Sequence, residues 1–389
     1  MGYGWFITGF IWAVALFTVP EWKSCYGCWE QERISLLHLK ASLSNPPALS
    51  SWSAKGTNHS DDDCCQWDGV DCDLLLDYPY DSYINSQAKP DINASLFLPF
   101  QELRRLKLQG FHITGCIQNQ GWPHLESLDI DDSTISCNNF LETVATVMTN
   151  LTRLRVADSD LSSPIPPALC TLKRLRESNL RDNRLRGELP QCLSNLTSLQ
   201  RLSIGGNQFS GDISLSPLPA LLSLEYVDIS NNQFRIPTSL FPFFNHSHLQ
   251  YFWGGDNREI YGDDHLDLVL QQGTPRFQLI DLELSTWPDY GGYVGPFPKF
   301  LYHQTRLKLV FISNFNITGV DTGFPWWLVT NNTHLEFLSL TDCSLSGHFQ
   351  IPIHQQQHHP HANLRGLSIS GNDFFPSTIP PDICAALIW

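Results

Sequence analysis

The sequence predicts a leaning stack of coils: a curved, right-handed solenoid, α/β in class and rich in strand, with one parallel inner sheet. Three observations predict it. The pattern L-x-x-L-x-L-x-x-N recurs eleven times, beginning at Leu103, Leu125, Leu151, Leu175, Leu199, Leu224, Leu249, Leu279, Leu307, Leu335 and Leu364, at spacings of 22 to 30 residues. Within each copy the L-x-L alternation puts the leucines on one side of a short strand. No copy can bury those leucines by itself, so neighbouring coils cover one another and stability accumulates along the array.

The chain begins with an apolar stretch from Trp5 to Val19, followed by Glu21, Trp22, Lys23 and Ser24. At about fifteen residues it is short for a membrane span of about 20. Residues 1–24 therefore read as a secretory signal peptide, with an uncleaved anchor as the alternative. Cysteine usage agrees with an oxidising compartment: there are 11, at 25, 28, 64, 65, 72, 116, 137, 170, 192, 343 and 384, and the odd count leaves at least one unpaired or intermolecular. N-x-S/T sequons at Asn58, Asn93, Asn150, Asn195, Asn245, Asn316 and Asn331 point the same way, as predicted glycosylation sites. With 24 basic against 39 acidic residues the formal charge is -15, which excludes a basic phosphate-binding face and so nucleic acid as a partner.

Residues 99–389 carry the array. Its clearest copies are Leu199-Gln-Arg-Leu202-Ser-Ile204-Gly-Gly-Asn207 and Leu224-Glu-Tyr-Val227-Asp-Ile229-Ser-Asn-Asn232, and the period is that of the leucine-rich repeat. The closing Asn can hydrogen-bond backbone groups where the chain leaves the strand. Several copies continue as x-L-x-G-x-(I/L)-P, as in Leu185-Arg-Gly187-Glu-Leu189-Pro190 and Tyr293-Val-Gly295-Pro-Phe297-Pro298. Outside the inner sheet the expectation is irregular or short helical segments.

This repeat form, together with Cys28-Trp-Glu-Gln-Glu-Arg33, Ser51-Trp52 and Asp63-Cys64-Cys65-Gln-Trp67-Asp-Gly69-Val70-Asp-Cys72, resembles plant leucine-rich-repeat receptors and their amino-terminal cap. The resemblance implies that residues 25–98 form that cap and its connector, closed by disulfides from Cys28 to Cys64 and from Cys65 to Cys72; the residues alone allow other pairings. The apolar spacing Ile34, Leu37, His38, Ala41 suits a short amphipathic helix covering the first coil. Asn93-Ala-Ser-Leu-Phe-Leu-Pro-Phe100, Leu189-Pro-Gln-Cys192-Leu-Ser-Asn-Leu-Thr-Ser198 and Pro298-Lys-Phe-Leu-Tyr-His303-Gln are similar to the kinase-less receptor-like proteins of plants. In that family an island, an acidic juxtamembrane stretch and one membrane helix follow a longer array. The expectation is therefore an array of about eleven repeats without a carboxy-terminal cap, truncated before the island and the membrane helix.

Strand residues that point away from the leucines, three per repeat, should line the concave surface. The first such position runs from Arg105 to Gly366 and the second from Lys107 to Ser368. They sort into a basic zone (Arg153, Arg155, Arg181, Arg201), an aromatic zone (Tyr226, Tyr251, Trp253), a carboxylate pair (Asp281, Glu283) and an apolar zone with Leu309, Phe311 and Phe337. Exposed aromatics and arginines dominate binding hot spots, so these residues are the candidate ligand-binding set. For the charged zone the plainer reading comes first, because Lys107-Asp129-Arg155 and Arg153-Glu177-Arg201 alternate in sign and make charge ladders each worth under about 1 kcal/mol. The three aromatics have no leucine role, and binding comes first for them.

Other candidates read as structure. The histidines 348, 354, 358, 359 and 361 lack rigid ligand spacing and suit a solvated convex loop, and Asp61-Asp62-Asp63 lacks the spacing of a calcium loop. Cys170 and Cys192, about one repeat apart, suit a structural disulfide between adjacent convex segments. No phosphate-loop, zinc-protease, nucleophile-elbow or kinase motif occurs, so neither enzyme activity nor a cofactor or metal is expected. The resemblance implies an extracellular, non-catalytic recognition protein that binds a protein, peptide or glycan ligand and signals in defence or development through adaptor and co-receptor leucine-rich-repeat receptor kinases. It would be apoplastic as given, or at the plasma membrane if a longer form continues into a membrane helix. The alternatives are a secreted inhibitor of cell-wall-degrading enzymes and a non-functional truncated product.

Overall fold

Each repeat lays down one short strand, and every strand of this kind pairs in parallel with the strand one repeat away. The computed structural model describes residues 30–42, 50–53, 67, 89, 91–100, 103–115, 122–262, 273–287, 292–319, 322–349 and 363–375. They belong to two units, Met1–Leu185 and Arg186–Trp389. The signal segment, the cap cysteines 28, 64, 65 and 72, Asn58, the aspartates 61–63, the histidines 354–361 and residues 376–389 lie outside the described residues.

In the first unit, strands Arg105–Lys107, Ser127–Asp129, Arg153–Arg155 and Glu177–Asn179 form a parallel ladder in the register Arg105↔Ser127↔Arg153↔Glu177. Their central residues Leu106, Leu128 and Leu154 are buried, with Leu103, Leu125, Leu151 and Leu175 beneath them. A second parallel sheet joins Asp91–Asn93, His112–Thr114 and Thr134–Ile135. The outer side is closed by the helix Phe140–Val147 and the 3-10 helix Pro167–Thr171, which bury Val144, Ala145 and Leu169.

The amino-terminal helix spans Glu30–Ser42, but its buried face differs from the one the sequence suggests. Leu36, Leu39, Ser35 and Glu32 are buried, whereas Ile34 is 41% exposed and His38 and Ala41 face solvent. Leu36 and Leu39 stand three apart on one face, and it is that face that packs against the core. Lys40 secures the following segment by donating to the Trp52 carbonyl at 2.6 Å, and Trp52 stacks on Trp67 at 5.7 Å.

In the second unit, seven strands form the ladder: Arg201–Ser203, Tyr226–Asp228, Tyr251–Asn257, Asp281–Thr286, Leu309–Ser313, Phe337–Thr341 and Gly366–Ser368. All pairings are parallel. The x-L-x-G-x segments, expected to be irregular, instead make short strands of a further sheet, Arg186–Gly187, Gln208–Asp212, Gln233–Pro237 and Glu259–Tyr261. Two later pairs repeat the arrangement, Tyr293–Gly295 with Phe315–Ile317 and Ser346–His348 with Asp373–Phe375. Inside, buried phenylalanines pass contact from coil to coil, as Phe209 to Phe234 at 6.3 Å, Phe244 to Phe277 at 6.2 Å and Phe277 to Phe300 at 5.9 Å.

The turn off each ladder strand has its own chemistry. Off most of the described ladder strands one residue takes positive φ, and it is Gly110, Asp132, Asp158, Asp182, Gly206, Asn231, Asp256, Asn314, Asp342 or Gly371, the types that tolerate the left-handed region. In most repeats the next residue plugs the turn into the preceding coil, the apolar Phe111 and Phe315 being exceptions. Asn232 accepts from the Phe209 N–H at 2.9 Å and donates to the carbonyls of Ile204, Ile229 and Ser230. Asn183, Asn257 and Asn372 repeat the pattern. Ser133, Ser159 and Cys343 fill the same place with shorter side chains, donating to Leu108, Ile130 and Ile312. Because Asn232 is buried and serves several backbone groups, Asn232→Ala is expected to destabilise the chain by about 2–4 kcal/mol in chemical denaturation, against under about 0.5 kcal/mol for the exposed neighbour Gln233→Ala.

One carboxylate of the first unit is also buried. Asp131 accepts from the Ala157 N–H at 2.7 Å and from Arg155 Nη2 at 2.9 Å. Burial pushes its pKa up from 3.8 to about 6, reinforced by the neighbouring Asp129 charge and opposed by Ala157 and Arg155. A pKa raised on folding gives a contribution that is present in full below the unfolded value and is lost as pH rises through about 6. Denaturation midpoints measured from pH 4 to pH 7.5 should therefore fall across this window, and Asp131→Asn should flatten that slope.

Candidate functional site

Alternation along the ladder strands decides what faces out. Leu202, Val227, Phe252, Leu282, Val310 and Leu338 point into the core and are buried, so their flanking residues form the open face. The register then places those residues side by side. One row of the second unit reads Arg201, Tyr226, Tyr251, Asp281, Leu309, Phe337, Gly366, and the next reads Ser203, Asp228, Trp253, Glu283, Phe311, Ser339, Ser368. Adjacent members are separated by one strand spacing, about 4.8 Å. Both rows follow the order laid out from the sequence.

In the first unit the predicted arginines are engaged by neighbouring carboxylates. Arg153 pairs with Glu177 at 3.2 Å, Arg155 with Asp131 at 2.9 Å and Asp129 at 3.9 Å, and Arg181 with the adjacent Asp182 at 3.0 Å. These are charge ladders, with side chains partly or largely exposed. Arg201, in the second unit, is exposed and lies beside Tyr226.

The aromatic residues of the second unit do come together. Tyr226 lies 5.9 Å from Tyr251 and 5.2 Å from Trp253, the latter edge to face, and all three are half-buried. Phe311 and Phe337 stack at 5.1 Å two strands further along, with Phe311 37% exposed. The acidic strand lies between the two groups. Glu283 is half-buried beside Gly255, where a Cβ would collide with its carboxylate, so glycine makes the room the side chain occupies.

Asp281 differs from the rest of the predicted set. It is 6% exposed, accepts a hydrogen bond from the Trp253 indole, and its Oδ1 has no partner among the described residues. Burial raises its pKa, and the Trp253 hydrogen bond works in the opposite sense. An unpaired carboxylate oxygen away from water is costly, and it favours any donor or cation brought to it.

Asp228, outside the predicted set, is fully buried and satisfied. Ser203 Oγ donates to it at 2.8 Å, Ser230 Oγ at 2.6 Å and the Ser230 N–H at 3.1 Å. A Cβ at Gly205 would stand 2.6 Å from this carboxylate. The sequence signal is a glycine in the third outward position followed by an acid in the next repeat's second position, which Gly205 and Asp228 share with Gly255 and Glu283. Hydroxyls complete the floor, Ser339 and Thr341 at 3.1 Å and Thr341 and Ser368 at 3.3 Å.

Among the described residues no sequon occupies the open face. Asn93, Asn195, Asn245, Asn316 and Asn331 are exposed, while Asn150 Nδ2 donates to the Pro123 carbonyl at 2.6 Å. Cys137, Cys170 and Cys192 are disulfide-bonded, and Cys343 is a buried thiol whose pKa burial pushes up to about 12. Among the described residues no group of three His, Cys, Asp or Glu side chains could hold a metal ion, and no helix is long and apolar enough to cross a membrane.

Comparison with known proteins fits this architecture. Residues 30–73 match the leucine rich repeat N-terminal domain family and residues 223–244 the Leucine Rich Repeat family. Cuscuta receptor 1 of Solanum lycopersicum is 33% identical over 237 residues, covering 60% of this chain and 20% of that protein. Receptor-like protein 14 of Arabidopsis thaliana is 28% identical over 93% of this chain and 44% of its own length. The chain spans about a fifth of the length of the first curated relatives it matches. Among solved structures, that of PEPR1-AtPEP1 aligns with a TM-score of 0.60 at 20% identity over 91% of this chain and 50% of that one. A plant ice-binding protein aligns with a TM-score of 0.57 at 21% identity over 91% of this chain and 100% of that one. The shared feature is the leucine-rich-repeat solenoid, and the curated relatives the chain resembles are plant receptor-like proteins.

Proposed function

We propose that this chain is the recognition part of an extracellular, receptor-like protein, and that it binds a peptide or protein ligand on the open face of the second unit's ladder. The observation that carries this reading is the cluster of Tyr226, Tyr251 and Trp253, three large rings held together outside the core. Rings left half-exposed on a rigid sheet offer contact area at small entropic cost, which is why such residues dominate binding surfaces. The resemblance to receptor-like proteins supports the same role, with adaptor and co-receptor kinases as partners that relay ligand binding. The chain itself has a binding task in this reading and no catalytic one. The arginines of the first unit take little part, because each already has a carboxylate.

A library of displayed linear peptides panned against the secreted chain tests this directly. The wild type should enrich a recurring motif. The Tyr226→Ala/Tyr251→Ala/Trp253→Ala variant, secreted in similar amount, should enrich none, whereas Arg153→Ala/Arg181→Ala should enrich the wild-type motif. Equal enrichment by the aromatic variant would overturn the assignment of the site.

A further inference from the structure

We infer that the open face of the second unit selects a basic side chain, a lysine ammonium or arginine guanidinium flanked by apolar residues in an extended peptide, seated over Asp281 and Glu283 between two aromatic walls. The inference rests on the proposed binding face and names what that face takes. Its first support is how the rings are paired. Trp253 turns toward Tyr226, one strand back, and Phe311 stacks on Phe337, one strand forward. The strand between the two aromatic groups carries Asp281 and Glu283 in register with Tyr251 and Trp253 on one side and Leu309 and Phe311 on the other, and the Trp253 indole reaches across to Asp281. The walls stand two strand spacings apart, about 10 Å, which admits one extended side chain.

The second support is independent of the rings. Asp281 is buried on this face with one oxygen held by Trp253 and the other unpartnered among the described residues. Its neighbours in both rows are aromatic, aliphatic or acidic, so no protein cation is placed to satisfy it there. Across the fourteen positions of the two rows, the charged residues are Asp228, Asp281, Glu283 and, on the outermost strand of this ladder, Arg201. A cation over the acidic strand gains a charge-assisted hydrogen bond and sits beside ring faces that attract it. Leu309 and Phe337 on one side and Tyr251 on the other would hold the apolar residues that flank it.

The test uses the peptides enriched from the displayed library. A wild-type hit should carry Lys or Arg within two residues of large apolar side chains. Synthesised, that peptide should bind at least about tenfold more tightly than its analogue with Gln at the basic position. Asp281→Asn/Glu283→Gln should bring the two peptides to within about twofold of each other, and Glu283→Gln alone, at a half-exposed position, should narrow the gap even if the double variant is poorly secreted. Motifs without a basic residue, or a Gln analogue that binds as well as the parent, would sink this inference and leave the aromatic binding face standing. No enrichment by the wild type, or enrichment unchanged in the triple aromatic variant, would overturn that binding face and this inference with it.

Discussion

The structure depends on a buried hydrogen bond made in most of its described coils, from the side chain that follows the ladder strand to the backbone of the coil before it. A parallel solenoid must turn its chain inside the protein, and a turn there strands N–H and C=O groups away from water. Asn232 shows the solution: one amide accepts from Phe209 and donates to Ile204 in the coil before, and donates to Ile229 and Ser230 in its own, so a single side chain satisfies groups in two coils. Where the residue is Ser133 or Cys343, fewer such bonds are made, and the neighbouring coils rely more on apolar contact. The left-handed residue just before it, such as Asn231 or Asp256, aims the turn, so two adjacent positions per repeat are committed to this one task.

That commitment frees the opposite side of the strand. Once leucines and the turn residues hold the coils together, the outward residues can vary without cost to the fold, except where they are themselves buried. Asp131, Asp228 and Asp281 mark three degrees of that exception. Asp228 has all its hydrogen bonds supplied by Ser203 and Ser230 in the room left by Gly205. Asp131 is satisfied by a backbone N–H and an arginine, yet still has a raised pKa because desolvation outweighs both. Asp281 has one partner and one free oxygen.

The periodicity alone specified the ladder, since a strand one residue out of step would bury Tyr226 and Trp253 and expose Val227 and Phe252. Period-two alternation also gave the order of residues along the two rows that the strand register shows. Three things were not legible. The helix at Glu30–Ser42 offers two apolar stripes of similar strength, and only the packing against it selects Leu36 and Leu39 over Ile34. The strands of the second sheet are two to five residues long, too short for alternation to mark them, although Gln233–Pro237 does alternate. The burial of Asp281 is set by Trp253, which lies 28 positions earlier in the chain, and no local pattern announces a contact across repeats.

The two units differ in how their outward charges are resolved, and the difference locates selectivity. In the first unit the arginines and carboxylates of successive repeats alternate, so Arg153 meets Glu177 and Arg155 meets Asp129 and Asp131 one repeat away. Charges neutralised in this way offer a ligand little, because binding would have to break one pair to form another. In the second unit the sequence stops alternating: Asp281 and Glu283 are followed by Leu309 and Phe311 and preceded by Tyr251 and Trp253, none of which can balance a carboxylate. A solenoid could have closed this gap with one arginine in a neighbouring repeat, as its first unit does. Asp281, with one oxygen unpartnered among the described residues and no arginine beside it in either row, is the carboxylate that a cation from outside the chain would balance.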